Sequence, residues 1–291
     1  MKNLSLKKLS FILIHLGLIF LVLSCVYGLF VSKIKLEYPF ILFSYFTIGT
    51  GLLIRTILTA MKNNNVTPYN KEKEGRLIKI ILTVLAVNAS IAMLLIIMKF
   101  ILLGYVPFAF FGGTFLFISC FMSVILIYLI RAEKDGLFSL LSLILIFIVN
   151  AAAVIFNEPA KSFPAALNSL WFYIHVTASI AAYAFLFISF VMALVYLINK
   201  TRFKTFDMIF SFGFFFYFFL LVTGSIWAQD AWGSYWSWDP KETAALAAFL
   251  VYASAAHTKG KWRYYLNIAG FLFLIFCYLG VTFLMKGLHS Y

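Results

Sequence analysis

Residues 206–243 read FDMIFSFGFFFYFFLLVTGSIWAQDAWGSYWSWDPKET. The stretch opens with an apolar run of about 20 residues, long enough to cross a bilayer as a helix. It then breaks into a polar, aromatic window, 227–243, that holds Trp227, Trp232, Trp236 and Trp238, four of the chain's six tryptophans. A second apolar run begins at 241. Helix is the only state open to such runs, because backbone N–H and C=O groups in lipid must be satisfied within the segment. The window between them therefore lies where the chain meets water or a ligand. A tryptophan cluster this dense suits a flat aromatic platform for a large planar molecule.

The pattern extends outward from this stretch in both directions. Of the 291 residues 64% are hydrophobic and 11% charged, so lipid has to be part of the solvent. Apolar runs fall at 9–31, 38–60, 78–103, 107–130, 137–156, 168–198, 206–227, 241–258 and 264–285. The expected fold class is all-α, a polytopic membrane helical bundle of about nine transmembrane helices. Residues 1–160 form five N-terminal spans, and 161–291 form a core carrying the external tryptophan-rich loop 227–243. No polar stretch is long enough to fold as a soluble domain.

The net charge of +13 suggests nucleic acid at first sight. Its distribution points instead to membrane topology, with no nucleic acid as partner. With the N-terminus inside, the inner loops hold 17 lysines and arginines and the outer loops 6. That bias puts the C-terminus and the tryptophan-rich loop outside. Cys25, Cys120 and Cys277 lie singly in apolar runs, without metal-ligand spacing, and read as packing residues. The lysine-flanked first apolar run has no small-residue cleavage site after it and reads as a retained span.

Four histidines punctuate the chain. His175 lies 25 residues before Lys200, and His289 lies 26 after Arg263. At about 1.5 Å per residue both stand about 37–39 Å above the inner boundary, beyond a hydrocarbon core of about 30 Å. Two imidazoles at one height beside a flat pocket are suited to bind one iron from opposite faces. Taken singly, each reads first as a surface or capping histidine; the matched height and the aromatic platform favour the paired reading. His257 lies about 3 Å and His15 about 10 Å from the inner edge. His257 is either interfacial or a ligand. His15 is either a packing histidine bonded to a neighbouring helix or the second member of an inner pair.

Within the window, Asp239-Pro240-Lys241-Glu242 has the form of a helix start. Asp239 is the N-cap, Pro240 the first helical residue, and Glu242 the reciprocal acid of a capping box. Trp227 reads as an interfacial anchor. Trp232 and Trp236 share a face if the segment is locally helical. Gly233 permits a turn or a close backbone approach.

The run Trp-Gly-Ser-Tyr-Trp-Ser-Trp-Asp-Pro-Lys-Glu-Thr (232–243) resembles the tryptophan-rich signature (the WWD domain) of haem-handling membrane proteins, in particular the CcsA (ResC) family of the system II cytochrome c synthase. The ending Gly287-Leu288-His289-Ser290-Tyr291 is similar to that family's C-terminus. Tyr-Ile-His175-Val and Ala-Ala-His257-Thr fall in the matching order around the signature. The resemblance is strong over 168–291; residues 1–160 match as spans only.

The resemblance implies that His175 and His289 ligate the iron of an external haem b over Trp232, Trp236, Trp238 and Asp239. It also implies that His257 holds haem in transit on the inner side. The second inner ligand in the family belongs to a CcsB (ResB)-type membrane protein. The segment around His15 is similar to the one that carries that ligand, so His15 and a separate partner chain are both candidates. The implied activity is cytochrome c biogenesis of holocytochrome c synthase (haem lyase) type. Haem transport to the outer face is followed by thioether attachment to apocytochrome c, with a thiol-reducing thioredoxin-like protein as a further partner. The setting is the cell inner (cytoplasmic) membrane, with the plastid thylakoid membrane as the alternative. Two other readings stay open: a haem exporter that loads a chaperone without ligation, and an ion-coupled transporter with the histidines as proton relay.

Overall fold

The computed structural model describes residues 71–156, 163, 167–285 and 287. The spans expected at 9–31 and 38–60, and with them His15, lie outside the described residues, as does His289. Every regular element among the described residues is helical. In chain order they are α1 (Lys71–Leu103), α2 (Phe111–Glu133), α3 (Gly136–Ile155), α4 (Leu170–Asn199), α5 (Phe206–Trp232), α6 (Pro240–His257) and α7 (Lys261–Ile275). A π-turn (Phe276–Gly280) then leads into the short α8 (Val281–Leu284). Six of these stretches are long and apolar enough to cross a membrane: Ile78–Leu103, Phe111–Glu133, Gly136–Ile155, Leu170–Asn199, Phe206–Trp232 and Lys261–Leu284. The span expected at 241–258 is present as the helix α6 but is not among those six. Its first turn carries Lys241, Glu242 and Thr243, and alanines replace the larger apolar residues of its neighbours.

The chain divides into two compact units, Met1–Lys161 and Ser162–Tyr291. In the first, α2 ends at Lys134, whose left-handed φ of 52° lets its N–H close on the Ile130 carbonyl at 3.1 Å. Asp135 then caps α3 by accepting from the Phe138 N–H at 2.7 Å. That two-residue connection makes α2 and α3 antiparallel neighbours. Small polar groups, rather than the hydrophobic effect, tie such helices together in lipid. Asn88 of α1 donates to Ser119 Oγ (3.0 Å) and Ser123 Oγ (2.8 Å) of α2. Asn150 of α3 accepts from Ser119 Oγ at 2.5 Å and donates to Asn88 Oδ1 at 2.8 Å. The ring of bonds joins all three helices.

In the second unit α4 and α5 are antiparallel and meet along small residues. A Cβ at Gly213 would stand 2.8 Å from Leu186 Cδ2, and one at Gly224 would stand 2.8 Å from the ring of His175. The two contacts are eleven residues apart on both helices, about three turns, so they lie on one stripe and fix the register. Helix α7 is fixed to α4 by Asn267 Nδ2 donating to Ser189 Oγ at 2.9 Å, and to α5 by Arg263 paired with Asp207 at 2.5 Å. Gly270 of α7 leaves room for the ring of Tyr252 on α6. This frame holds the upper ends of α4 and α5, and the loop between α5 and α6, in one place.

Candidate functional site

His175 lies in the second turn of α4, where its ring is half-buried against α5. Its Nδ1 is 2.9 Å from the backbone carbonyl oxygen of Leu220. A carbonyl only accepts, so Nδ1 carries the proton, and in the neutral ring the lone pair sits on Nε2. That arrangement gives ligating histidines their orientation and basicity. Gly224, one turn beyond Leu220, allows the approach, because any side chain there would strike Cε1 and Nδ1. On its other side the imidazole stacks on Trp227, with centroids 5.8 Å apart and planes 16° from parallel. Ser169, which caps α4 by accepting from the Trp171 N–H, also donates to Asp230 Oδ2 at 3.0 Å, tying the start of α4 to the end of α5.

Trp227 is not the interfacial anchor its position suggests. It is 3% exposed, with Phe172 at 5.4 Å and Trp232 at 4.9 Å in addition to His175. The condition for Trp232 and Trp236 to share a face is not met either. Helix α5 stops at Trp232, where Gly233 adopts a left-handed φ of 78° and its N–H bonds the Gln229 carbonyl at 2.9 Å. The aromatic side chains instead form two pairs. Trp227 and Trp232 stand beside His175, while Trp236 and Trp238 meet edge to face at 6.0 Å and 89° in the loop.

The loop closes on α6 through the expected capping box. Asp239 accepts from the Lys241 N–H at 3.1 Å, and the Glu242 carboxylate accepts from the Asp239 N–H at 3.2 Å. Both acids are buried. Asp239 also marks where the C-terminal segment runs, since Gly287 lies so close to its carboxylate that a Cβ would collide with Oδ1. His289 is two residues further on. His257 ends α6 and is exposed, 18 residues along the helix from Asp239, which is about 27 Å of rise. The structure thus brings His175 together with Trp227 and Trp232, and Asp239 together with Gly287 at the start of α6, and sets His257 at the opposite end of α6. Leu220, Gly224 and the buried role of Trp227 had no local signal in the sequence.

The sequence pattern of the cytochrome C assembly protein family matches residues 108–289, more than half of the chain and all of the elements just described from α4 onward. The chain belongs to that family. Among similar family members, the cytochrome c biogenesis protein CcsA of Chlamydomonas reinhardtii is 39% identical over 155 residues, covering 46% of this chain and 44% of that protein. CcsA of Guillardia theta is 34% identical over 166 residues, 43% of this chain and 55% of the relative. Over a shorter stretch of 77 residues, CcsA of Prochlorococcus marinus (strain NATL1A) is 54% identical. The chain spans about half the length of the curated relatives it matches. The matched residues include the tryptophan-rich segment 227–243 and five of the six helices long and apolar enough to cross a membrane.

Proposed function

We propose that the chain handles haem during cytochrome c biogenesis, presenting haem b at the outer face of a membrane for attachment to apocytochrome c. One observation carries the reading. His175 is built as a ligand, with its Nδ1 proton committed to the Leu220 carbonyl and its ring plane set by Trp227 and Gly224. The tautomer directs Nε2 to an electrophile, and the indoles around it match a flat macrocycle. A second axial ligand has to come from nearby. We take that ligand to be His289, two residues beyond Gly287, which itself lies against Asp239.

In this account Trp232, Trp236 and Trp238 border the substrate haem, and His175 with His289 hold its iron. Haem supplies the vinyl groups. A cysteine thiol of the apocytochrome adds its sulfur to one vinyl carbon and its hydrogen to the other, so the step needs no oxidant. The protein's contribution is positioning and exclusion of water. His257 and a second histidine, either His15 or one from a CcsB (ResB)-type partner, hold haem on the inner side. A thioredoxin-like protein keeps the acceptor thiols reduced. The distribution of basic residues supports an inside N-terminus and an outside C-terminus. The bacterial cytoplasmic membrane is the proposed setting, with the thylakoid as the alternative. We also propose residues 161–291 as the haem-handling core, with 1–160 as its five-span companion.

Expression of the chain together with a CcsB-type protein in a host stripped of its own maturation system tests this function. Haem-stained holocytochrome c is the expected product, and it disappears with His175→Ala. Haem released to the medium or to a chaperone, with no covalent product, would favour export without ligation.

A further inference from the structure

Trp238 adopts φ = 59°, one of three non-glycine residues at positive φ among the described residues, and it is 69% exposed. The other two, Lys134 and Lys200, end helices, where the left-handed conformation closes the last turn. Trp238 ends no helix. A bulky residue in this region is strained, and such outliers persist only where surrounding bonds over-determine them. Those bonds are present on both sides of it. Glu242 Oε2 accepts from the Ser237 N–H at 2.9 Å and the Asp239 N–H at 3.2 Å, so one carboxylate oxygen holds the backbone N–H of the residue before Trp238 and of the residue after it. Thr243 Oγ1 donates to the Trp238 carbonyl at 3.3 Å. A capping box needs only the bond from Asp239. The bond from Ser237 adds nothing to the helix start and closes the loop around the strained residue. The outcome is an indole projected from the loop at right angles to Trp236.

We propose that Glu242 is a positioning residue, which holds Trp238 left-handed so that its indole is a preformed stacking face for the planar ligand. The identity of that ligand as haem rests on the function proposed above, whereas the clamp itself does not. Pre-organisation of this kind spares the ligand the cost of ordering an aromatic side chain on binding.

The test uses the full chain in lipid nanodiscs, with two readouts. The first is the melting temperature. Trp238→Gly and Trp238→Ala both remove the indole, but only glycine accepts a left-handed φ without strain. Trp238→Gly should melt about 2–4 °C above Trp238→Ala. In a Glu242→Ala background the order should reverse, because glycine then costs only chain entropy. The same order in both backgrounds overturns the clamp. The second readout is titration of the haem-depleted protein with haem b, followed in the Soret band. Trp238→Gly should weaken binding about tenfold, the loss of one stacking contact. Glu242→Ala should weaken it comparably, the double variant no further, and Glu242→Gln, which keeps an oxygen acceptor, should match wild type. Losses that multiply to about a hundredfold in the double variant would mean that Glu242 does not act through Trp238. A wild-type chain that binds no haem b removes haem as the ligand, while the melting temperatures still decide the clamp.

Discussion

Gly224→Ala changes one hydrogen to a methyl group in the middle of α5, yet it should weaken haem ligation at His175. The new Cβ would stand 2.8 Å from both Cε1 and Nδ1 of the imidazole, and ordinary contact begins at 3.4 Å. The ring must retreat by about 0.6 Å or more. Retreat takes Nδ1 away from the Leu220 carbonyl on the same helix, stretching a 2.9 Å bond towards 3.5 Å, where little of it survives. Lost bond and disturbed stacking on Trp227 together cost about 1–2 kcal/mol. Alanine returns about 1 kcal/mol through its higher helix propensity. Overall stability should therefore change by no more than about 1 kcal/mol. Ligand orientation does not recover: loss of a supporting bond to a ligating histidine typically weakens binding about 10–100-fold. The assay pairs a thermal melt of the nanodisc-embedded chain with haem titration. Expected are a melting temperature within a few degrees of wild type and a weakened, spectrally altered outer haem. Wild-type affinity and spectrum in Gly224→Ala would refute the positioning of His175 by α5.

Three further perturbations probe other parts of the account. Asn150→Ala leaves Ser119 and Asn88 in the first unit each short of a partner, and should lower stability by about 1–2 kcal/mol in a thermal melt without altering the haem spectrum. Asp207→Asn removes an ion pair whose carboxylate side is 76% exposed, and should cost less than about 1 kcal/mol, because Arg263 keeps its place over Phe206 and Phe210 at 5.5 and 5.0 Å. Gly287→Ala forces the C-terminal segment away from Asp239, and should weaken the outer haem while leaving α6 helical by circular dichroism.

What the sequence made legible was local. Asp239, Pro240 and Glu242 form a cap because the residues involved are three apart, and the box is found as expected. Spans from 78 onward are recognisable because lipid leaves an apolar run only one backbone solution. Gly233 stops α5 because it alone among its neighbours takes a left-handed φ without strain. The failures were contacts across the fold. His175 and Leu220 are 45 residues apart, and nothing in either neighbourhood signals their bond. Gly224 looks like an ordinary membrane glycine until an imidazole is found above it. Trp227 ends an apolar run, where composition favours the interface, but the α4–α5 register buries it beneath His175 and Trp232. Trp232 and Trp236 do not share a helical face, since α5 ends between them. Trp238 gave no sign of its conformation, because Glu242 imposes it from the next helix.

The central claim, that His175 is an axial ligand of an outer haem, is tested most directly by the visible spectrum of the chain purified from haem-replete membranes. The account predicts a low-spin bis-histidine spectrum that is lost in the His175→Ala/His289→Ala double variant and restored in His175→Ala by added imidazole. A colourless wild-type preparation, or a spectrum indifferent to both substitutions, would contradict it.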